Sequence, residues 1–151
     1  MRKMLVAVLG PCGAVAAATI GFIWWERGAP PGFNPTPHPV TVSSINRENR
    51  GVRIRGTAHY EVRLRQKMED GSVYYIFPLM KAEDTLGREI KVLVRAERMP
   101  DAMTTYEDME VDGLARPPGT KVGPKTRESL LDGGYHFAEG YVLVEAFAIR
   151  D

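Results

Sequence analysis

The most regular pattern in the chain runs from Val52 to Arg65. Even positions read Val52, Ile54, Gly56, Ala58, Tyr60, Val62 and Leu64, and odd positions read Arg53, Arg55, Thr57, His59, Glu61, Arg63 and Arg65. A period of two predicts one long strand with a buried face and a wet face. Gly56 is expected to bend or bulge it, so that it serves two parts of a barrel. Glu69-Asp70-Gly71 predicts a hairpin turn, followed by a strand over Val73–Met80 that is apolar on both faces, with Pro78 at an edge or bulge. Thr85-Leu86-Gly87 is the next turn. Further strands are expected at Glu89–Glu97, at Met109–Leu114 before Pro117-Pro118-Gly119, and at Phe137–Ile149 with a bend at Gly140; a short β-like run at Val40–Ile45 precedes them all. Met99–Tyr106, with Pro100 and Asp101 at helix-start positions, predicts a short helix. Thr126–Leu131, stopped by Gly133-Gly134, predicts another. The expectation for residues 40–151 is therefore a mainly β domain: a small OB-like five-stranded β-barrel with one or two short helices.

The N-terminus follows a different pattern. Met4–Trp25 is a run of 22 residues without a charge. At 1.5 Å per residue it spans a hydrocarbon layer of about 30 Å. Residues 1–27 are thus expected to be a single N-terminal transmembrane anchor. The apolar run is longer than a cleaved signal peptide needs. Gly10, Gly13, Ala14, Ala17 and Gly21 are small enough for close helix packing. Trp24 and Trp25 suit the membrane–water boundary. Arg2 and Lys3 precede the span, which puts the N-terminus in the cytoplasm or matrix and the remainder in the periplasm or intermembrane space of an inner membrane. Residues 28–39 contain five prolines and two glycines, a semi-rigid linker or a strap packed on the domain.

Composition narrows the partners. Net charge is +1; Arg2, Lys3, Glu26 and Arg27 contribute +2, so the remainder carries −1. That balance argues against a nucleic-acid partner. Cys12, the one cysteine, falls inside the apolar run, so no intrachain disulfide is possible. His38, His59 and His136 are scattered, with no metal or haem-attachment spacing. No metal or cofactor is expected, and His136 reads as a surface residue.

The stripe Arg53, Arg55, His59, Arg63 and Arg65 reads as a solvated or salt-bridged face, with Arg53 and Arg55 as partner contacts. Tyr74, Ile76, Met80 and Leu93 occupy the second face of their strands. They are read as an apolar partner-binding patch, the competing reading being core beneath a helix. Asp108, Glu110 and Asp112 share one solvated side. Ser43, Ser44, Ser72 and Ser129 lie in no nucleophile elbow, so no catalytic residue is assigned and no enzyme is expected.

Four segments, Tyr74–Leu79, Val92–Val94 with Pro100, Val111–Pro118 and Val52–Gly56, together resemble the Surfeit-locus cytochrome c oxidase assembly factors. Tyr74-Tyr75-Ile76-Phe77-Pro78-Leu79 is similar to the family stretch running into Thr-Pro-Leu. Val92-Leu93-Val94, followed by Pro100, resembles its Val-Leu-Val block, with Arg95-Ala96-Glu97-Arg98 replacing the family's Asn-Arg-Gly-Trp. Val111–Pro118 resembles its Val-x-Gly-x-x-Arg-x-Pro segment, and Val52–Gly56 its opening strand. The resemblance implies a non-catalytic accessory or assembly subunit of an inner-membrane respiratory complex, the oxidase first, acting through contacts with other subunits and the bilayer. A weaker likeness to the membrane-anchored haem chaperone of cytochrome c maturation, on Pro100-Asp101 before Val111-x-Gly113, implies a ligand carrier as the alternative. That family's histidine after the last strand has no counterpart in Glu145–Asp151.

Overall fold

The computed structural model describes residues 36–48, 50–99 and 104–150. The anchor expected at 1–27, with its small-residue face and tryptophans, lies outside the described residues, as does most of the 28–39 linker. Among the described residues there are seven strands: β1 (His38–Thr41), β2 (Arg50–His59), β3 (Leu64–Lys67), β4 (Val73–Met80), β5 (Glu89–Ala96), β6 (Tyr106–Arg116) and β7 (His136–Arg150). One α-helix, α1 (Pro124–Asp132), joins β6 to β7, and 3-10 turns occupy Tyr60–Val62 and Gly119–Lys121.

Five of the strands close into a barrel in the order β2-β6-β7-β5-β4, with β4 returning to β2 at Thr57↔Met80 and Ala58↔Leu79. β5 and β7 run parallel; the other barrel pairs are antiparallel. Closure leaves no gap for a Cβ on Gly56, which would collide with the Met80 carbonyl. Gly113 is equally confined by the Glu145 carbonyl, beside a bulge where β7 carries one extra residue, Phe147. A larger bulge sits at Gly140, whose φ is +73°; there β7 advances five residues while β5 advances two.

The alternation along β4, β5 and β7 feeds two cores. Phe77, Leu79, Val92, Val94, Val142 and Val144 point inward, joining Val52, Ile54 and Val111 in the barrel interior. Ile76, Met80, Ile90, Leu93 and Leu143 point outward into a second cluster with Leu130 of α1 and with Val122, Tyr135 and Tyr141. A strand buried on both faces must be apolar on both, which explains the unbroken run Tyr74–Met80. Pro124 opens α1, where its missing N–H is harmless. The helix ends on a Schellman-type pair, Tyr135 N–H to the Leu130 carbonyl and Gly134 N–H to the Leu131 carbonyl, with Gly134 at φ +90°.

Several expectations are corrected. Val52–Arg65 is not one strand, because a 3-10 turn at Tyr60–Val62 divides it. From Ala58 to Leu64 the chain advances six residues, while its partner moves three, from Leu79 to Ile76. The register with β6 runs through Gly56 without a bulge, and just past it, at Thr57 and Ala58, β2 pairs with β4 as well. Ile76, Met80 and Leu93 are not an open apolar patch; α1 and Tyr135 cover them, and Tyr74 is half-buried beneath Arg95. His59 does not belong to a wet stripe: it is buried, with the Asp84 carbonyl and the Tyr135 hydroxyl on its two ring nitrogens and Tyr106 packed edge-on against it. Nor is Asp112 solvated, since β2 and β7 bring arginines onto it. Tyr106 opens β6 rather than ending a helix, and residues 100–103 lie outside the described residues. Pro78 sits where β4 changes partner from β3 to β2, between the last β3 pair at Ile76 and the first β2 pair at Leu79, and lies opposite Leu93 of β5 on its other side.

Candidate functional site

Outward positions of three neighbouring strands bring charges together at one end of α1. Arg95 of β5, Arg116 of β6 and Lys121 of the following 3-10 turn converge on Glu145 of β7. Nitrogen–oxygen distances are 2.9, 3.3 and 2.6 Å respectively. All three cations are at least nine-tenths buried. Burial lowers the Lys121 pKa, and the hydrogen bond to Glu145 works against that shift. Arg95 lies 3.5 Å over the Tyr74 ring and donates to the Gln66 side-chain oxygen at 3.4 Å; the Gln66 amide in turn donates to the Lys121 carbonyl at 3.2 Å. Three cations against one carboxylate leave this end of the domain electropositive.

Beside this cluster a groove of about 540 Å³ opens between β3 and the start of α1. Arg65, Gln66 and Lys67 form one wall, and Gly123, Pro124, Lys125 and Thr126 form the other. No carboxylate lines it. Gln66 joins groove to cluster, so the ion pairs fix the position of the β3 wall.

At the other end of α1, a hydrogen-bonded network pins the chain as it returns to the barrel. The His59 ring contacts the Tyr135 hydroxyl through Nδ1 and the Asp84 carbonyl through Nε2, both at 2.7 Å. Tyr135 donates to Glu61 at 2.6 Å, and Tyr106 donates to the other Glu61 oxygen at 3.1 Å. The Tyr135 bond, the Tyr106 bond and nearby Arg88 together hold the Glu61 carboxyl below its ordinary range, against the effect of burial. Burial chiefly, with the bond to Glu61 adding to it, drives the Tyr135 phenol far above its usual value. The arrangement ties β2, β6, the Asp84 turn and the chain after α1 together.

The β2–β6–β7 surface carries a charge ladder. Arg53 grips Asp112 with two hydrogen bonds, 2.8 and 2.9 Å, and Arg150 reaches both Asp112 and Glu110. The Arg53 bond first, and Arg150 after it, pull the Asp112 pKa down to about 2. Arg53 is thereby occupied within the sheet, while Arg55 stands exposed opposite Glu110. Among the named partner residues, then, Ile76, Met80 and Leu93 are brought together under α1, Tyr74 is joined to the Glu145 cluster, and Arg53 and Arg55 lie on a separate face. The sequence reading missed Arg95, Glu145 and Lys121. The signal was present as a lone charge inside each of two apolar runs, Val92–Ala96 and Tyr141–Ala146, which the parallel register then sets side by side at Arg95↔Glu145. His136 is exposed, 3.7 Å from Glu89. No group of metal-ligating side chains occurs among the described residues. Likewise, no described helix is long and apolar enough to cross a membrane.

The chain matches no protein-family model, no curated protein and no solved structure.

Proposed function

We propose that the protein is a non-catalytic docking subunit: an OB-like barrel carried on an N-terminal membrane anchor, acting by protein contact within an inner-membrane respiratory complex, cytochrome c oxidase first. The observation that carries the docking part is where the groove falls in the strand order. The first barrel strand pairs with the second and fourth, and the third pairs with the second and, in parallel, with the fifth. That is the order of an OB barrel, a fold that binds through the loops joining strands one to two and four to five. The groove lies between β3, which belongs to the first of those connections, and the β6–β7 segment, which is the second. The anchor is supported by the uncharged run Met4–Trp25 and its paired indoles; the respiratory setting is supported by the sequence resemblance across Val52–Gly119 alone.

The test is affinity purification of the tagged full chain from detergent-solubilised membranes, with mass spectrometry of what accompanies it. Oxidase subunits are the expected partners. A chain that is released by a salt wash without detergent, and that elutes as a lone monomer, overturns the reading.

A further inference from the structure

We infer that the groove takes an extended polypeptide segment with carboxylates at every second position, which adds as a strand to the free edge of β3. The inference rests on the docking reading and names the chemistry of its partner. Three observations lead to it.

First, β3 is the last strand of the sheet order and pairs only with β4 among the described residues, so its other edge offers backbone donors and acceptors. Second, the groove follows that edge. Side chains from both faces of β3 line it, Arg65 and Lys67 from one and Gln66 from the other, as a channel along the strand's flank requires. Third, the groove is cationic and unneutralised. Among the described residues, Arg65, Lys67 and Lys125 have no ion-pair partner in the ladder, in the Glu145 cluster or elsewhere. Arg65 and Lys67 are two residues apart on a strand, a spacing of about 6.8 Å. Carboxylates at alternate positions of an added strand repeat at that same interval, and Lys125 faces them from the opposite wall.

The lining disfavours the other polyanions. Single-stranded nucleic acid binds on open aromatic faces. No aromatic side chain lines the groove, and nearby Tyr74 and Tyr75 are occupied by Arg95 and Arg63. A lipid headgroup has no use for a strand edge.

The experiment uses the full chain in detergent and a fluorescent peptide of about eight residues alternating Glu and Val, a usual strand length, read by anisotropy. Expected results are binding that weakens as salt rises, at least about tenfold loss for Arg65→Glu with Lys67→Glu, and a similar loss when alternate peptide nitrogens are methylated. Arg65→Gln with Lys67→Gln gives an intermediate loss, and an unchanged melting temperature in both variants separates lost binding from lost fold. Equal affinity for the methylated peptide overturns strand addition. Tighter binding of oligothymidylate, competition by phosphatidylglycerol vesicles, or self-association through this edge each overturns the peptide assignment. The same charge-reversed variant is carried through the membrane purification. If it keeps its partners, the groove is not their docking site and this inference fails, while the docking reading stands. If the unaltered chain brings down no partner, the docking reading fails whatever the peptide does.

Discussion

Among the described residues, Glu145 is the one acidic partner of its buried cluster. It is the carboxylate on which Arg95, Arg116 and Lys121 converge, and removing one member of a buried ion cluster strands the others. Glu145→Gln is expected to destabilise the fold by about 3–5 kcal/mol, measured as the shift in urea midpoint. Lys121→Met should cost far less, because burial already weakens the charged form of Lys121 and its methylene stem is retained in outline. Asp112 gives a different signature. Its pKa is held below the ordinary 3.8, at about 2, by Arg53 first. A depressed folded-state carboxyl stabilises above its unfolded pKa, and that stability is lost as pH falls from about 4 towards 2. Acid unfolding of Asp112→Asn should therefore show a flatter limb in that window than the unaltered chain. Gly56 was legible as special in the sequence, but its reason was not. Nothing in the local pattern announces that the Met80 carbonyl will lie against it. Gly56→Ala is expected to cost about 2 kcal/mol or more by overpacking, because the Met80 backbone at the barrel seam has to move, which chemical-shift changes at Met80 would report.

At the scale of elements, α1 is the lid of the second core. One side chain, Leu130, is fully buried on its inner face, while Leu131 is half-exposed. Leu130→Ala should cost about 3 kcal/mol and raise binding of an apolar dye, since Ile76 and Leu93 then lose their cover. If dye binding is unchanged, Tyr135 and Tyr141 are sufficient cover by themselves. The helix and its stop were readable from Thr126–Leu131 and Gly133-Gly134, and the β4 hairpin was readable from Glu69-Asp70-Gly71, because both depend on neighbours in sequence. The break after His59 was not. Tyr60, Val62 and Leu64 keep the alternation, yet Tyr60 turns into the barrel interior while Val62 and Leu64 pack under the helix. A period-two pattern survives a 3-10 turn of this kind, so periodicity alone gives no sign of it.

For the molecule as a whole, the barrel closes through only two residue pairs of β2 and β4, whereas β2 and β6 share ten. β1 and β3 extend the sheet at its two ends. Local opening free energy follows such differences in pairing and burial. Hydrogen exchange is therefore expected to be slowest in β6 and in the central part of β7, and fastest in β1 and β3. Protection of β3 should rise when the alternating Glu–Val peptide is bound. The charge distribution belongs to this scale too. A remainder of −1 conceals a basic groove at one end and a balanced Arg–Asp–Arg ladder on another face, a separation that composition averages away.

The sequence by itself determined the mainly β character, five of the strands to within a few residues, the position of α1, and the apolar character of both faces of β4. Each of these follows from alternation, turn residues and helix stops acting over short distances. Only the tertiary structure decided that the second face of β4 and β5 lies under a helix, that Arg95 meets Glu145, and that Arg65 and Lys67 face Lys125 across a groove. Those outcomes depend on register between strands far apart in the chain and on barrel closure, and a shift of a single residue would have sent each of those side chains to the opposite face.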